Sequence, residues 1–512
     1  MFYDSASAPS STKLSERASM GTNGHAPSVP YPLASECAAF IDRAPTPFHC
    51  CAEAARQLVE AGFTELAEDE SWSGVLKPGG KYFYRRNGSS LVGFAVGAEF
   101  AAGTGGISVV GAHTDSPVLK LKPCSKRSAH GYLQLSVECY GGGLWHTWFD
   151  RELGVAGAVI VKKGDGSFVK ELVHVKRPIL RVPTLCIHLQ SADERAAFAP
   201  NKESHLQPIL ALESIVKEQL GADANGEGGA DAAAGASPAA MDARHAPALL
   251  KLLASELGCA VGDIQDFELT LCDTQPSQLW GLHNEFLSAP RLDNQVHCFT
   301  ALKALVEHAN AEKLEGDQRG GEGDVAMIAL FDHEEVGSDS TVGAGGPIMA
   351  EALRRVSLCF PPKKGPEEEA LLLTTRKSFF ISADTAHAVH PNWAAKHEAS
   401  HTPKLNGGTV IKSNDNQRYA TNAPTGFVVR ELARRSKTSV QEFMVRNDCP
   451  CGMTIGPMVA SKTGVRTVDV GVASLSMHSI RETVGADDVR SSFVLFTTFF
   501  RLFREIDGAC KF

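Results

Sequence analysis

Four short apolar runs punctuate the chain, and each gives way abruptly to polar residues: Ile107–Val110, Val325–Phe331, Phe379–Ile381 and Thr467–Val472. Runs of this length, rich in branched apolar side chains, predict strands buried on both faces. Around them the period lengthens to that of a helix. Ala52–Ala61, the stretch opening at Gln295, Pro347–Arg355, Gly426–Arg435 and Asp487–Phe503 each set apolar residues on one helical face. Lys81–Ala95 predicts a hairpin that turns at Asn87-Gly88, a pair suited to left-handed backbone. Buried strands alternating with amphipathic helices predict a mixed-sheet α/β fold.

The stretch between the first two apolar runs is patterned differently. Tyr132–Cys139 alternates apolar and polar, and Val155–Val161 and Ser167–Val175 flank a Gly164-Asp165-Gly166 turn. These signals predict a β-rich domain inserted at residues 122–285, leaving a discontinuous α/β domain of residues 32–121 and 286–512. Residues 221–240 are almost wholly Gly, Ala, Ser, Pro, Asp and Asn, too little apolar surface to fold, so a disordered loop is expected. Residues 1–31, rich in Ser, Ala and Pro, are expected to form a disordered extension without a signal-like apolar core.

Composition narrows the function. The 512 residues are 43% hydrophobic and 21% charged, enough for a large core, and no stretch reaches the length of a membrane span. A net charge of -9 argues against nucleic-acid binding and requires that any acidic ligand be met by local basic groups. Thirteen scattered cysteines predict reduced thiols and a cytoplasmic location. Neither Cys50-Cys51 nor Cys449-Pro450-Cys451 has the paired spacing of a structural zinc site.

The chemistry sits where the apolar runs end. His113 and Asp115 follow the first, Glu334 and Glu335 the second, Asp384 and His387 the third, and His478 the fourth. In open α/β sheets ligands gather at the carboxyl ends of strands. Adjacent carboxylates such as Glu334 and Glu335 repel unless a cation or proton neutralises them, and one can ligate a metal while the other serves as a general base. Asp293, at the start of the helical pattern after Pro290-Arg291-Leu292, reads either as a helix cap or as a carboxylate shared by two metal ions. A donor set of His, Asp and Glu without thiolate suits zinc, with manganese or cobalt as alternatives.

Five separated motifs, His113-Thr-Asp-Ser-Pro, Pro290-Arg-Leu-Asp-Asn, Asp332-His-Glu-Glu-Val-Gly-Ser, Ser382-Ala-Asp-Thr-Ala-His-Ala and Ser476-Met-His-Ser-Ile-Arg-Glu, resemble in that order the motif set of the aspartyl aminopeptidases. The resemblance runs from about Pro32 to the C-terminus. It implies a zinc-exopeptidase-like catalytic domain, an inserted dimerisation domain and a homododecamer built from dimers. It also implies two zinc ions, one on His113, Asp293 and Asp384 and the other on Asp293, Glu335 and His478, with Glu334 as catalytic base and Asp115 orienting His113.

Substrate contacts follow from the same resemblance. Lys412, otherwise a solvated lysine, and Tyr419, otherwise a core residue, would touch the substrate, with Lys412 meeting an acidic side chain and His387 lining the pocket. His188 would pass from a neighbouring subunit into the active site; without the resemblance it reads as a structural strand histidine. The activity implied is release of N-terminal Asp or Glu from peptides. The alternatives are an enzyme of the same architecture preferring neutral residues such as Leu, and an idle assembly or cargo protein, which would be free to lose the ligand set retained here.

Overall fold

The apolar runs become neighbours. In a computed structural model, which describes residues 31–220, 240–311 and 323–511, they form the centre of a nine-stranded sheet in the order Val325–Phe331, Ile107–His113, Phe379–Ala383, Arg466–Gly471. These four strands are mutually parallel, so their carboxyl ends lie along one edge. Antiparallel neighbours on both sides, Ser90–Val96 and Thr409–Lys412, make the sheet mixed. The expected N-terminal extension, apart from Tyr31, and the expected loop from 221 as far as 239 fall outside the described residues.

Every residue of Ile107–His113 and Val325–Phe331 is buried, because each face of the sheet has its own helical layer. Val110, Ala112, Ile328 and Ile381 pack on one face with helices Pro32–Arg43, Pro47–Glu60, Leu292–Asn310, Ala423–Ser436 and Ala486–Ala509. Val109, Met327, Phe331 and Phe380 pack on the other with helices Ile348–Leu358 and Ile455–Thr463. Among the described residues no helix is long and apolar enough to cross a membrane.

Strands from Val118 to Asp273 build a separate six-stranded antiparallel sheet covered by helix Pro247–Leu257. A third sheet of short strands, including Ala386–His387, Ala473–Leu475 and Glu482–Gly485, lies along the chain just after Asp384 and on either side of His478. The architecture is therefore mixed α/β with a β-rich insertion.

Helix limits differ from the pattern in ways that capping explains. The helix expected from Ala52 begins at Pro47, where proline sits in the first turn and Thr46 accepts from the His49 N–H. The helix expected from Gly426 begins at Ala423, behind an Asn422–Thr425 capping box. The hairpin does turn at Asn87 and Gly88, with φ of 52° and 71°.

One glycine controls how closely two site-bearing strands approach. A Cβ at Gly471 would lie 1.7 Å from the backbone oxygen of Asp384, an atom that cannot swing aside. Gly471→Ala should therefore displace the Asp384 peptide, cost about 1–3 kcal/mol of stability and reduce metal retention. Thermal unfolding and metal analysis after dialysis check this; an unchanged melting temperature with full metal content would show that the strands can part without consequence.

Candidate metal centre

Acceptor atoms converge at the ends of the central strands. His113 ends its strand with Nδ1 3.0 Å from the backbone oxygen of Asp115; a carbonyl only accepts, so Nδ1 carries the proton. The Nε2 lone pair then faces Asp293 Oδ1 at 3.3 Å, Asp384 Oδ1 at 3.6 Å and Glu334 Oε2 at 3.9 Å. His478 repeats the arrangement. Its Nδ1–H donates to Gly142 O at 3.1 Å, and Nε2 faces Glu335 Oε2 at 3.3 Å and Asp293 Oδ2 at 3.6 Å. Asp293 thus turns one oxygen towards each histidine.

Acceptors facing acceptors in buried space need positive charge between them. Asp293 Oδ1 and Glu335 Oε1 are buried without a hydrogen-bond partner, and donor atoms of His113, Asp293 and Asp384, and of Asp293, Glu335 and His478, lie within 4.8 Å of one another in each set. The residues therefore fit divalent metal. The same crowding of carboxylates favours positive charge on the two imidazoles. Burial opposes charge on His113, but Glu334, Asp115, Asp293 and Asp384 outweigh it and raise its pKa well above the imidazole range. Burial likewise opposes charge on His478, yet Asp293 and Glu335 push it up to about 12. Burial lifts Glu335 to about 7, against the pull of His478, and also holds Glu334 above the usual carboxylate range, with Asp384 and Glu335 adding repulsion.

Irregular backbone aims these side chains. Asp293 and Asn294 depart from helical geometry inside Leu292–Asn310, while Arg291, His333, Ser338 and His478 have φ between 59° and 66°. Such conformations persist only where surroundings over-determine them. The Asp115 carboxylate accepts from the N–H groups of Glu334 and Glu335, both at 3.0 Å, and from the Tyr140 hydroxyl at 2.8 Å; its Oδ1 stands 3.4 Å from His113 Nδ1.

A cavity of about 690 Å³ opens over the cluster and is lined also by His387, Lys412 and Tyr419. Lys412 is 1% exposed, with Nζ 3.0 Å from Thr385 O, 3.4 Å from Asp384 Oδ2 and 5.1 Å from the Tyr419 ring centre. His188 is not brought to this site within one chain. It lies exposed on the turn Ile187–Leu189, among exposed Leu185, Ile187 and Leu189.

Sequence reasoning missed three supports. Glu482 accepts from the backbone N–H groups of Asp293 and His478, at 2.7 Å each, although its motif was in view. His297 accepts from Val472 N and pairs with Asn294, whose amide reaches Ala383 O. The turn Tyr140–Leu144 belongs to the insertion, and its glycine run was the available signal: a Cβ at Gly141, φ 74°, would lie 3.2 Å from Glu335 Cβ.

Residues 40–500 match the family model described as aminopeptidase I zinc metalloprotease, peptidase M18. A probable aspartyl aminopeptidase of Ricinus communis is 47% identical, over 92% of this chain and 95% of its own. An aspartyl aminopeptidase of Aspergillus oryzae is 46% identical, over 90% and 94% respectively. Among solved structures, the Ape4 and Nbr1 complex superposes with a TM-score of 0.85 at 40% identity, covering 93% of this chain and 87% of that one. An S. cerevisiae mApe1 dodecamer gives 0.78 at 30% identity, covering 94% and 99%. The donor set at the strand ends, the fold that assembles it and the extent of these matches together place the chain in the M18 family of zinc metallo-aminopeptidases.

Proposed function

We propose that this chain is a dinuclear zinc aminopeptidase that releases N-terminal Asp or Glu from peptides in the cytoplasm. The observation that carries the reading is Asp293, whose two oxygens face two separate histidine–carboxylate sets. His113, Asp293 and Asp384 would hold one zinc, and Asp293, Glu335 and His478 the other. When bound, zinc supplies Lewis acidity to a carbonyl oxygen and to water. The names of the plant and fungal relatives support the acidic preference, the mApe1 dodecamer supports assembly of dimers into a homododecamer, and thirteen unpaired cysteines suit a reducing compartment.

Glu334 then moves the proton. Its backbone is held by Asp115, but among the described residues its carboxylate has no hydrogen-bond or ion-pair partner nearer than His113 Nε2 at 3.9 Å, which leaves it free to take a proton from water and return it to the leaving amine. Asp115 holds the Glu334 and Glu335 backbones together beside His113. Lys412 meets the acidic side chain at the cavity wall, with Tyr419 and His387 beside it. His188, exposed among apolar residues, enters from a neighbouring subunit to stabilise the tetrahedral species.

One observation favours a second reading. Lys412 already lies 3.4 Å from Asp384, so part of its charge is engaged and a preference for neutral residues such as Leu is the rival.

Glu334→Gln should lower kcat by roughly 10²- to 10⁴-fold while metal content stays near wild type, whereas Glu335→Gln should lose metal. Activity assays with metal analysis separate these; equal metal loss in both would remove the distinction between base and ligand.

Lys412→Met deletes the charge at similar length. Losing a charge-assisted hydrogen bond, worth about 1.5–3 kcal/mol, should cut kcat/KM for aspartyl substrates about 10- to 150-fold and for leucyl substrates much less. A wild type that already prefers leucyl substrates would establish the second reading.

Hybrid oligomers of His188→Ala and Glu334→Gln subunits should recover activity, since some sites then join an intact Glu334 to a neighbour's intact His188. Verified mixing without recovery would return His188 to a structural role.

A further inference from the structure

We propose that Glu482 is a positioning residue that ties the backbones of Asp293 and His478 together and so sets the affinity of the metal locus those two side chains share; this rests on the two-zinc reading above. Asp293 departs from helical backbone with φ -78° and ψ 103°, and His478 sits at φ 66°. Neither N–H serves a helix or a sheet. Glu482 receives both, Oε2 from Asp293 N and Oε1 from His478 N, each at 2.7 Å.

The anchor is itself firmly placed. Glu482 is 2% exposed and opens the strand Glu482–Gly485, pairing with Ala289 immediately before the Pro290–Asp293 turn. Among the described residues no Lys or Arg forms an ion pair with it; burial and the neighbouring Asp293 carboxylate oppose its charge, and the two N–H donors and His478 favour it. A carboxylate suits this task because both oxygens accept. Glutamine has the same shape but one oxygen, and its NH₂ would set a donor against a donor.

Asp488 provides a comparison within the same chain. It accepts from Asn406 N at 2.7 Å and Gly408 N at 2.9 Å, is fully buried, and touches no candidate ligand. If double acceptance only stabilises the fold, the two carboxylates should behave alike when replaced by amides.

The test uses full-length wild type, Glu482→Gln and Asp488→Asn, stripped by chelation and titrated with zinc in metal buffers, with thermal unfolding of the zinc-free forms. Glu482→Gln should weaken the zinc held by Asp293, Glu335 and His478, both of whose tied backbones loosen, by roughly 10- to 100-fold, and the zinc that shares only Asp293 by less. Asp488→Asn should lower the melting temperature with both zinc affinities retained. Wild-type affinity in Glu482→Gln, or equal weakening of zinc binding by both variants, would overturn the proposal. A wild type that binds only one zinc would instead remove the two-zinc reading. Hydrogen exchange on zinc-free wild type judges Glu482 in that case, and also if Glu482→Gln does not fold. Slow exchange of the Asp293 and His478 amides supports the tie; exchange as fast as that of the Ser476-Met477 turn refutes it.

Discussion

Mutual repulsion among buried acceptor atoms is the constraint on which the rest of this structure depends. The Nε2 atoms of two imidazoles and the oxygens of Asp293, Glu334, Glu335 and Asp384 point into one small volume. Each close pair of carboxylates costs on the order of a few kcal/mol in a partly screened interior. A fold that holds them there needs a scaffold stiffer than that repulsion. The parallel strands supply it, packed on both faces by separate apolar layers, so that neither the sheet nor its helices can relax to relieve the site.

Placement and aim are divided between two kinds of structure. Strand ends fix where His113, Asp384 and the Glu334–Glu335 pair begin, because their registers are locked by continuous ladders. Aim is set by irregular backbone that the ladders do not reach. There, side-chain acceptors take over: Asp115 collects two N–H groups of the glutamate pair, and the neutral His297 ring links the helix start to the strand before Ala473. Left-handed residues such as His333 and His478 survive in this setting because each is fastened at several points.

Much of this was legible in the sequence because it depends on local pattern. Runs such as Val325–Phe331 are apolar without alternation, which a strand covered on both faces requires, and the candidate ligands follow where such strands end. Asp293 was legible only as an ambiguity between cap and ligand; its non-helical backbone favours the latter placement but is a tertiary outcome. Glu482, His297 and Tyr140 were unreadable for a different reason. Their partners are backbone groups or side chains distant along the chain, and no residue type advertises that a carboxylate will receive N–H groups from two remote loops. Helix starts at Pro47 and Ala423 were hidden because polar caps precede the amphipathic pattern.

The turn Tyr140–Leu144 ties the antiparallel sheet to the candidate site. Gly142 receives the Nδ1–H of His478, Leu144 N donates to His478 O, and the Tyr140 hydroxyl donates to Asp115. Excising the antiparallel sheet would leave the His478 ring free to flip and present the wrong nitrogen. The insertion is therefore not a detachable cassette: losing this turn would also cost the α/β domain the hold on a candidate ligand.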